Sequence, residues 1–289
     1  MTRKLKSIQS RLEKLTTFPA MPELAQKILS LGPRPEMNEL VTIVEIDPGL
    51  AAQMIRQAAS PFFGYRGKVK SVRDAITRVL GVDRAMNLAF GVAAGKGLRS
   101  PADGPVGRKA IWVHAAYSAA LMQSLAECLP RDAEASSGMS YLSGLMHNIG
   151  LLLLGHLFPT ELSALNKAIL DNPKVPVIDL EQGLFMTDHT EIGMWLLRKW
   201  NMPGEVITAV HKHHDVEYRG EYAVYANLAL LADRLLQRLD MGDAGSEELP
   251  DAMLSALGLQ EDDVTGALQN LLEARSDLDS LANHLATAA

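Results

Sequence analysis

Apolar residues recur at helical spacing along almost the whole chain. In the first segment, for example, Leu5, Ile8, Leu12 and Leu15 are three or four positions apart, as on one face of a helix. Valine, isoleucine, threonine and aromatic residues do not alternate with polar residues over strand-length runs, and good helix formers predominate. The pattern therefore predicts an all-α protein built from many short helices rather than one long coiled coil.

Proline, glycine and short polar residues mark where these helices begin and end. Asp47 is a good N-cap with Pro48 in the first helical position, and Ser71 is placed to cap the helix that follows an irregular loop. The stretch from Gly95 to Gly107 is rich in glycine and proline and is the best internal boundary. The predicted helices cover residues 22–31, 39–45, 48–59, 71–80, 83–94, 108–129, 139–155, 159–171, 176–186, 188–200, 203–214, 221–239, 250–257 and 261–285.

Length and composition narrow the class of protein. The chain has 289 residues, of which 47% are hydrophobic and 21% charged, so it can bury a sizeable core and is neither disordered nor fibrous. Its one cysteine, Cys128, excludes an internal disulfide framework and a thiolate zinc cluster. The longest apolar stretch, Leu151 to Phe158, is too short to span a bilayer, and no apolar signal segment opens the chain. We therefore expect a cytoplasmic protein with no membrane partner.

The net charge of −6 hides an uneven distribution. Residues 1–15 carry five basic side chains and one acidic one, whereas residues 240–289 carry eleven acidic side chains and only Arg275. The middle of the chain holds 22 acidic and 22 basic residues and is neutral, so a nucleic-acid partner is not expected. The charged ends are either solvated helical faces, the interpretation we favour, or contacts with each other or with a partner.

Histidines are the main candidates for chemistry. Six of the eight lie in predicted apolar helices, and a buried imidazole must be hydrogen-bonded or ligated because an unpaired polar group is costly. One such histidine alone would usually be a satisfied core residue, but several in one core indicate a shared polar cluster. We expect His156 to be partly buried and satisfied, and His284 to lie at the surface. The six are His114, His147, His189, His211, His213 and His214.

Several short motifs occur in an order that resembles a known family. The N-terminal half contains Phe18-Pro-Ala-Met-Pro22, Ile46-Asp-Pro-Gly-Leu50, Ala59-Ser-Pro-Phe-Phe-Gly64, and Ser71-Val-Arg-Asp-Ala-Ile76 running into Leu80-Gly81. The C-terminal half contains His147-Asn-Ile-Gly150, Asp188-His-Thr-Glu-Ile-Gly193, Trp200-Asn-Met-Pro203 and His213-His214. Over about residues 15–240 the chain resembles the HDOD family, the "HD-related output domain" of bacterial signalling proteins within the HD superfamily of metal-dependent phosphohydrolases. At Ala59-Ser60 the chain departs from the Asn-Ser pair common in that family.

The resemblance implies an all-α fold in which an HD-like helical core is joined to an additional N-terminal helical half. It implies an HDOD domain over 16–240, divided into halves at 16–95 and 108–240. A basic helix (1–15) precedes this domain, and an acidic helical extension (241–289) follows it. The family's early metal-binding histidine matches His114, its His-Asp doublet matches His147-Asn148, and its late aspartate matches Asp233. His189, His213 and His214 match the supplementary positions.

The doublet departs from the catalytic pattern. An asparagine amide offers a neutral oxygen where an aspartate would neutralise a cation, and Leu151 replaces the phosphate-contacting lysine of many active relatives. Asp233 would then be the only carboxylate left among the metal-binding positions, too few for two bridged metals. A single divalent ion (zinc, manganese, iron or magnesium) on His114, His147 and Asp233 is an alternative. We favour a metal-free, hydrogen-bonded cluster with no catalytic residue and no cofactor.

These features favour a non-catalytic signalling module that acts by binding a protein or a small ligand. The family implies receiver, kinase or cyclic-dinucleotide domains as partners, which here would act in trans. The alternative is a metal-dependent phosphohydrolase acting on a nucleotide or a cyclic dinucleotide. The Phe62-Phe63 pair is either a partner contact or, as we favour, a plug between the two helical halves.

Overall fold

The protein is described by a computed structural model, in which residues 8–12, 18–32, 34–242 and 251–287 are placed. Within these ranges the chain is helical and forms no β-strand, which confirms the predicted fold class. No helix in the placed ranges combines the length and the apolar character needed to cross a membrane. Most of the predicted basic helix at 1–15 and, within the predicted acidic extension, residues 243–250 and 288–289 lie outside the described residues.

The N-terminal half begins its helices where the caps predict. The Asp47 side chain accepts a hydrogen bond from the Leu50 N–H (3.0 Å), and Ser71 accepts one from the Asp74 N–H (3.0 Å). The helix predicted from residue 83 begins two residues earlier, at Gly81. The elements are α1 (Ile8–Leu12), α2 (Glu23–Ser30), α3 (Met37–Glu45), α4 (Pro48–Ala58), a 3₁₀ turn (Pro61–Phe63), α5 (Val72–Ala75), a π-helical turn (Ile76–Leu80) and α6 (Gly81–Gly95).

The second half contains eight helices and one break that the sequence pattern missed. The predicted helix at 139–155 is two helices, because Asn148 leaves helical geometry (φ −101°, ψ 19°) and redirects the chain. This break places His147 and Asn148 at a corner instead of along a helix side. The helices are α7 (Arg108–Cys128), α8 (Ser137–Met146), α9 (Ile149–Leu157), α10 (Pro159–Asp171), α11 (Val177–Phe185), α12 (His189–Lys199), α13 (Gly204–Lys212) and α14 (Ala223–Gln237).

The C-terminal segment packs onto the rest of the chain. Its helices are α15 (Asp251–Leu257), α16 (Glu261–Glu273) and α17 (Arg275–Thr287), so the predicted single helix at 261–285 is interrupted at Ala274. They bury apolar residues against α7 and α14, and the Tyr117 hydroxyl donates to Asp279 (2.8 Å). His284 does not lie at the surface as expected: it is half-buried, with its ring beside Gly49 of α4.

The two halves share one hydrophobic core, with α7 running through its centre. Trp200 also joins them, because its indole N–H donates to the Pro19 carbonyl (3.0 Å). His156 is half-buried and satisfied as expected, since its Nδ1 accepts from the Arg99 N–H (3.0 Å). The shared core and the Trp200 hydrogen bond therefore hold the N-terminal and second halves together.

Candidate functional site: two buried triads

Three residues far apart in sequence meet at one end of the buried cluster. The Nε2 atom of His114 lies 3.0 Å from Nε2 of His147 and 3.0 Å from Oδ1 of Asp233. His147 Nε2 lies 3.4 Å from the same carboxylate oxygen. We call this set the carboxylate triad. It is the set that the family resemblance predicted as metal ligands, now seen with all three donor atoms pointing at one another.

The supplementary histidines form a second group, which we call the imidazole triad. The Nε2 atom of His189 lies 3.3 Å from Nε2 of His213 and 3.3 Å from Nε2 of His214. His189 and His213 are fully buried, and His214 is half-buried. The structure therefore separates the predicted residues into two sets of three.

The two triads adjoin each other. The rings of His147 and His213 are 5.1 Å apart, edge to face. At the start of α12, α9 approaches so closely that only glycine fits, because a Cβ at Gly150 would lie 1.9 Å from the His189 carbonyl oxygen. His211, the remaining candidate histidine, is half-buried and belongs to neither triad.

Helix ends orient two of the imidazoles. His147 follows α8 and lies 2.7 Å from the Gly144 carbonyl through Nδ1, and His213 follows α13 and lies 2.9 Å from the Val210 carbonyl through Nδ1. A carbonyl can only accept, so Nδ1 carries the proton in both rings. These carbonyls lack partners within their own helices, and the two histidines satisfy them. In the neutral form of each ring, Nε2 therefore presents a lone pair to the cluster.

Glu181 is the functional residue that sequence reasoning missed. It is fully buried, and its Oε2 accepts from His189 Nδ1 (2.6 Å) and from the His189 backbone N–H (3.2 Å). Such a carboxylate fixes the tautomer of a histidine and raises its basicity as a ligand. A sequence signal was present: Val177, Glu181 and Phe185 are spaced four apart, so Glu181 lies in the buried stripe of α11.

Burial and neighbouring groups shift the pKa values of the cluster. Burial alone would raise the pKa of Asp233, but the charge and hydrogen bonds of His147 and His114 outweigh it, and the pKa lies below its ordinary value. Burial, together with His214 and His147, lowers the pKa of His213. Burial raises the pKa of Glu181, although His189 opposes this shift. His213 is therefore neutral at physiological pH, whereas Asp233 is ionised.

Both triads have donor sets that fit one divalent cation. In the imidazole triad the lone pairs of His189 and His213 face each other at 3.3 Å, which calls for a cation or a shared proton between them. Zinc bound at about 2.0–2.1 Å in a tetrahedron has ligands roughly 3.3–3.4 Å apart, close to the separations seen here. In the carboxylate triad, Asp233 Oδ2 is buried with no hydrogen-bond partner in the described chain.

Asn148 limits what the cluster can do. It is 3% exposed, lies next to His147 in the chain and lines a cavity together with His114 and Leu151. Within the described ranges, the two triads are the groups of histidine and carboxylate side chains arranged to hold a metal, and Asp233 is their one carboxylate. Two adjacent cations would therefore lack the anionic bridge that two-metal phosphoryl transfer uses.

The Phe62-Phe63 pair lies away from both triads. Both rings are half-buried; Phe62 packs with the C-terminal helices, and Phe63 packs with the main core. Part of each ring is thus already covered by this chain. The hypothesis that the pair contacts a partner stays a prediction.

The fold and cluster define an all-helical protein with two buried triads of histidine and carboxylate side chains. The family model for the HDOD domain matches residues 18–216, and the chain belongs to this family. The chain is similar to a candidate signal transduction protein from Marinobacter aquaeolei VT8, with 33% identity and a TM-score of 0.80 over 98% of this chain and 62% of that one.

Two further proteins resemble this chain, one in sequence and one in fold. A protein of uncharacterised function from Treponema pallidum (strain Nichols) is 25% identical over 268 residues, which are 91% of this chain and 51% of that protein. The present chain thus spans less than two thirds of that protein and of the Marinobacter protein. A candidate phosphohydrolase from Shewanella amazonensis SB2B has a TM-score of 0.73 and 18% identity, with 97% of this chain and 99% of that one covered. At this identity the likeness shows the fold alone.

Proposed function

We propose that this chain is a non-catalytic signal-transduction module that acts by binding a small ligand or a protein. The observation that carries the proposal is Asn148 at the corner between α8 and α9, next to His147 in the chain, which leaves Asp233 as the one carboxylate in the two triads. Hydrolysis by a pair of metals needs an anion between them and a reachable centre. Here His147, His189, His213 and Asp233 are all fully buried, so a phosphoester has no direct approach to them.

Glu181 does not replace the missing aspartate. Its carboxylate lies behind His189, bound to Nδ1 and the backbone N–H, while the triad converges on Nε2 at the opposite edge of the ring. Glu181 is therefore a positioning residue for His189 and cannot bridge two cations inside the cluster. This arrangement supports a fixed cluster that stabilises one conformation of the module.

A metal-dependent phosphohydrolase acting on a nucleotide or a cyclic dinucleotide is the second candidate. The donor spacing of both triads favours it, since each could hold zinc, manganese, iron or magnesium. Such an ion would supply a Lewis-acid centre. His114, His147 and Asp233 would hold it in one triad, and His189, His213 and His214 in the other. A single ion in the imidazole triad is also compatible with a purely structural role.

The partners we propose are signalling proteins that act in trans, of the receiver, kinase or cyclic-dinucleotide types associated with the family. The cytoplasmic location in the proposal is supported by the single cysteine. A neutral central sequence gives no support for nucleic acid.

The deciding experiment measures metal content and turnover together. Protein purified without chelator is analysed for metals, then assayed with added manganese against nucleotides and cyclic dinucleotides, as wild type, His147→Ala and Asn148→Asp. We expect no turnover by the wild-type protein above that of His147→Ala. We also expect Asn148→Asp to raise the metal affinity of the carboxylate triad, because it restores an anionic oxygen. Manganese-dependent hydrolysis that disappears in His147→Ala would establish the phosphohydrolase instead.

A further inference from the structure

A cavity of about 550 Å³ opens beside the carboxylate triad, within the size range of small-molecule sites. Its lip is formed by residues 102–106, its floor by His114 and Asn148, and its far side by residues 240–242. The lip belongs to the glycine- and proline-rich linker between the helical halves. The far side leads to the C-terminal helices. The cavity thus lies where three parts of the chain meet.

The lip of the cavity is held in place by a buried hydrogen bond. The side-chain oxygen of Asn166, on α10, accepts from the Val106 backbone N–H at 2.8 Å. Asn166 is itself 9% exposed, so this contact is shielded from water. This hydrogen bond therefore fixes the position of residues 102–106 at the entrance of the cavity.

In the floor of the cavity, one ring nitrogen of His114 makes no hydrogen bond within the described chain. His114 is 5% exposed, and its Nδ1 is buried with no hydrogen-bond partner in the described chain. The Gly242 backbone covers this edge so closely that a Cβ there would lie 2.9 Å from Nδ1. A small movement of residues 241–242 would expose Nδ1 to a molecule in the cavity. Such a molecule would supply the hydrogen bond that this buried polar atom lacks.

The walls and rim indicate what kind of molecule fits. Val106, Ile111 and Leu151 are buried apolar walls. At the rim, Lys109 is the one cation among the lining residues, and Asp103 and Asp240 are both exposed carboxylates. One positive and two negative charges at the rim disfavour a phosphate group, because the carboxylates repel an anion. The lining therefore suits an uncharged, largely apolar molecule.

We propose that this cavity binds a small uncharged organic molecule, whose apolar body lies against Leu151 and whose amide N–H or hydroxyl donates a hydrogen bond to His114 Nδ1. Binding displaces the backbone at Gly242 and so acts on the connection to the C-terminal helices. The inference rests on the proposed function as a ligand-binding module, and it specifies the class of ligand.

The test uses two probes that share a phenyl ring, benzamide and phenyl phosphate. Each is titrated into the full chain while amide shifts of Gly242 and Ala110 are followed by NMR. We expect saturable shifts with benzamide and at least tenfold weaker binding of phenyl phosphate. Ala110→Trp fills the cavity from α7 and should weaken benzamide at least tenfold. Ala164→Trp, on an exposed position of α10, should leave binding unchanged.

The outcomes separate this inference from the proposed function. Tighter binding of phenyl phosphate than of benzamide, or no saturable shift with either probe, would overturn the inference. Manganese-dependent hydrolysis of phenyl phosphate in the same samples would instead overturn the non-catalytic function, whatever benzamide does. If Ala110→Trp does not fold, Met241→Trp fills the cavity from a half-buried position on its opposite side and gives the same test.

Discussion

The two triads have similar spacing but are supported in different ways. The carboxylate triad contains its own anion, since Asp233 lies within hydrogen-bond distance of His114. The imidazole triad contains none, and its anion, Glu181, lies on the far side of His189. The first triad is thus built around a buried carboxylate, whereas the second consists of three imidazole rings whose carboxyl partner lies outside the triad. Equal donor spacing does not imply equal chemistry, because the position of the carboxylate decides which protons and cations a site can hold.

The largest expected effect comes from removing the internal anion. Asp233→Ala should lower the free energy of unfolding by about 3–5 kcal/mol, the usual cost of breaking a buried charged pair. Denaturant unfolding measures the change. Asp132→Ala, at an exposed carboxylate, is the control and should change stability by about 0.5 kcal/mol or less. A loss as small as the control would mean that the buried carboxylate does not stabilise the carboxylate triad.

A smaller effect is expected from replacing Glu181, the carboxyl group that supports the imidazole triad from behind His189. Glu181→Gln keeps one acceptor but loses the charge-assisted bond to His189, and should cost about 1–3 kcal/mol. Nitrogen-15 spectra should show altered tautomer signals for His189 with those of His114 and His147 unchanged. Glu217→Gln, at an exposed site, is the matched control. If the nitrogen-15 signals of His114 change as much as those of His189, the two triads behave as one network, and the distinction drawn between them is wrong.

The smallest effect concerns a histidine outside both triads. Burial, together with Arg56 and Lys96, lowers the pKa of His284 in the folded state, with Asp47 opposing. The unfolded chain then binds more protons below about pH 6.5, so this contribution to stability is present above that pH and is lost as the pH falls toward the folded pKa. His284→Gln should reduce the loss in the free energy of unfolding that occurs as the pH falls below about 6.5. The remaining slope includes His211 and His213, because burial lowers the pKa of each of them as well. An unchanged profile in His284→Gln would contradict this assignment.

The sequence predicted the family and most helix ends, but it did not predict the helix break at Asn148 or the hydrogen bond from His189 to Glu181. Asp47 and Ser71 cap their helices as predicted because an N-cap is a local interaction over three residues. The break at Asn148 was missed because the apolar pattern continues through it, and that pattern does not record a change in direction. Glu181 was missed because its partner is on the next helix, although its place in a buried stripe was visible.

The sequence by itself determined the helical class, the HDOD family and the presence of Asn148 in place of a second carboxylate. These properties follow from residue types and short spacings. Only the tertiary structure decided that six side chains divide into two triads, that Glu181 anchors one of them, and that the C-terminal helices dock on α7. His114 and Asp233 are 119 positions apart yet 3.0 Å from each other, and helix crossings bring them together. The physical reason is that such contacts depend on how helices pack, which no local pattern encodes.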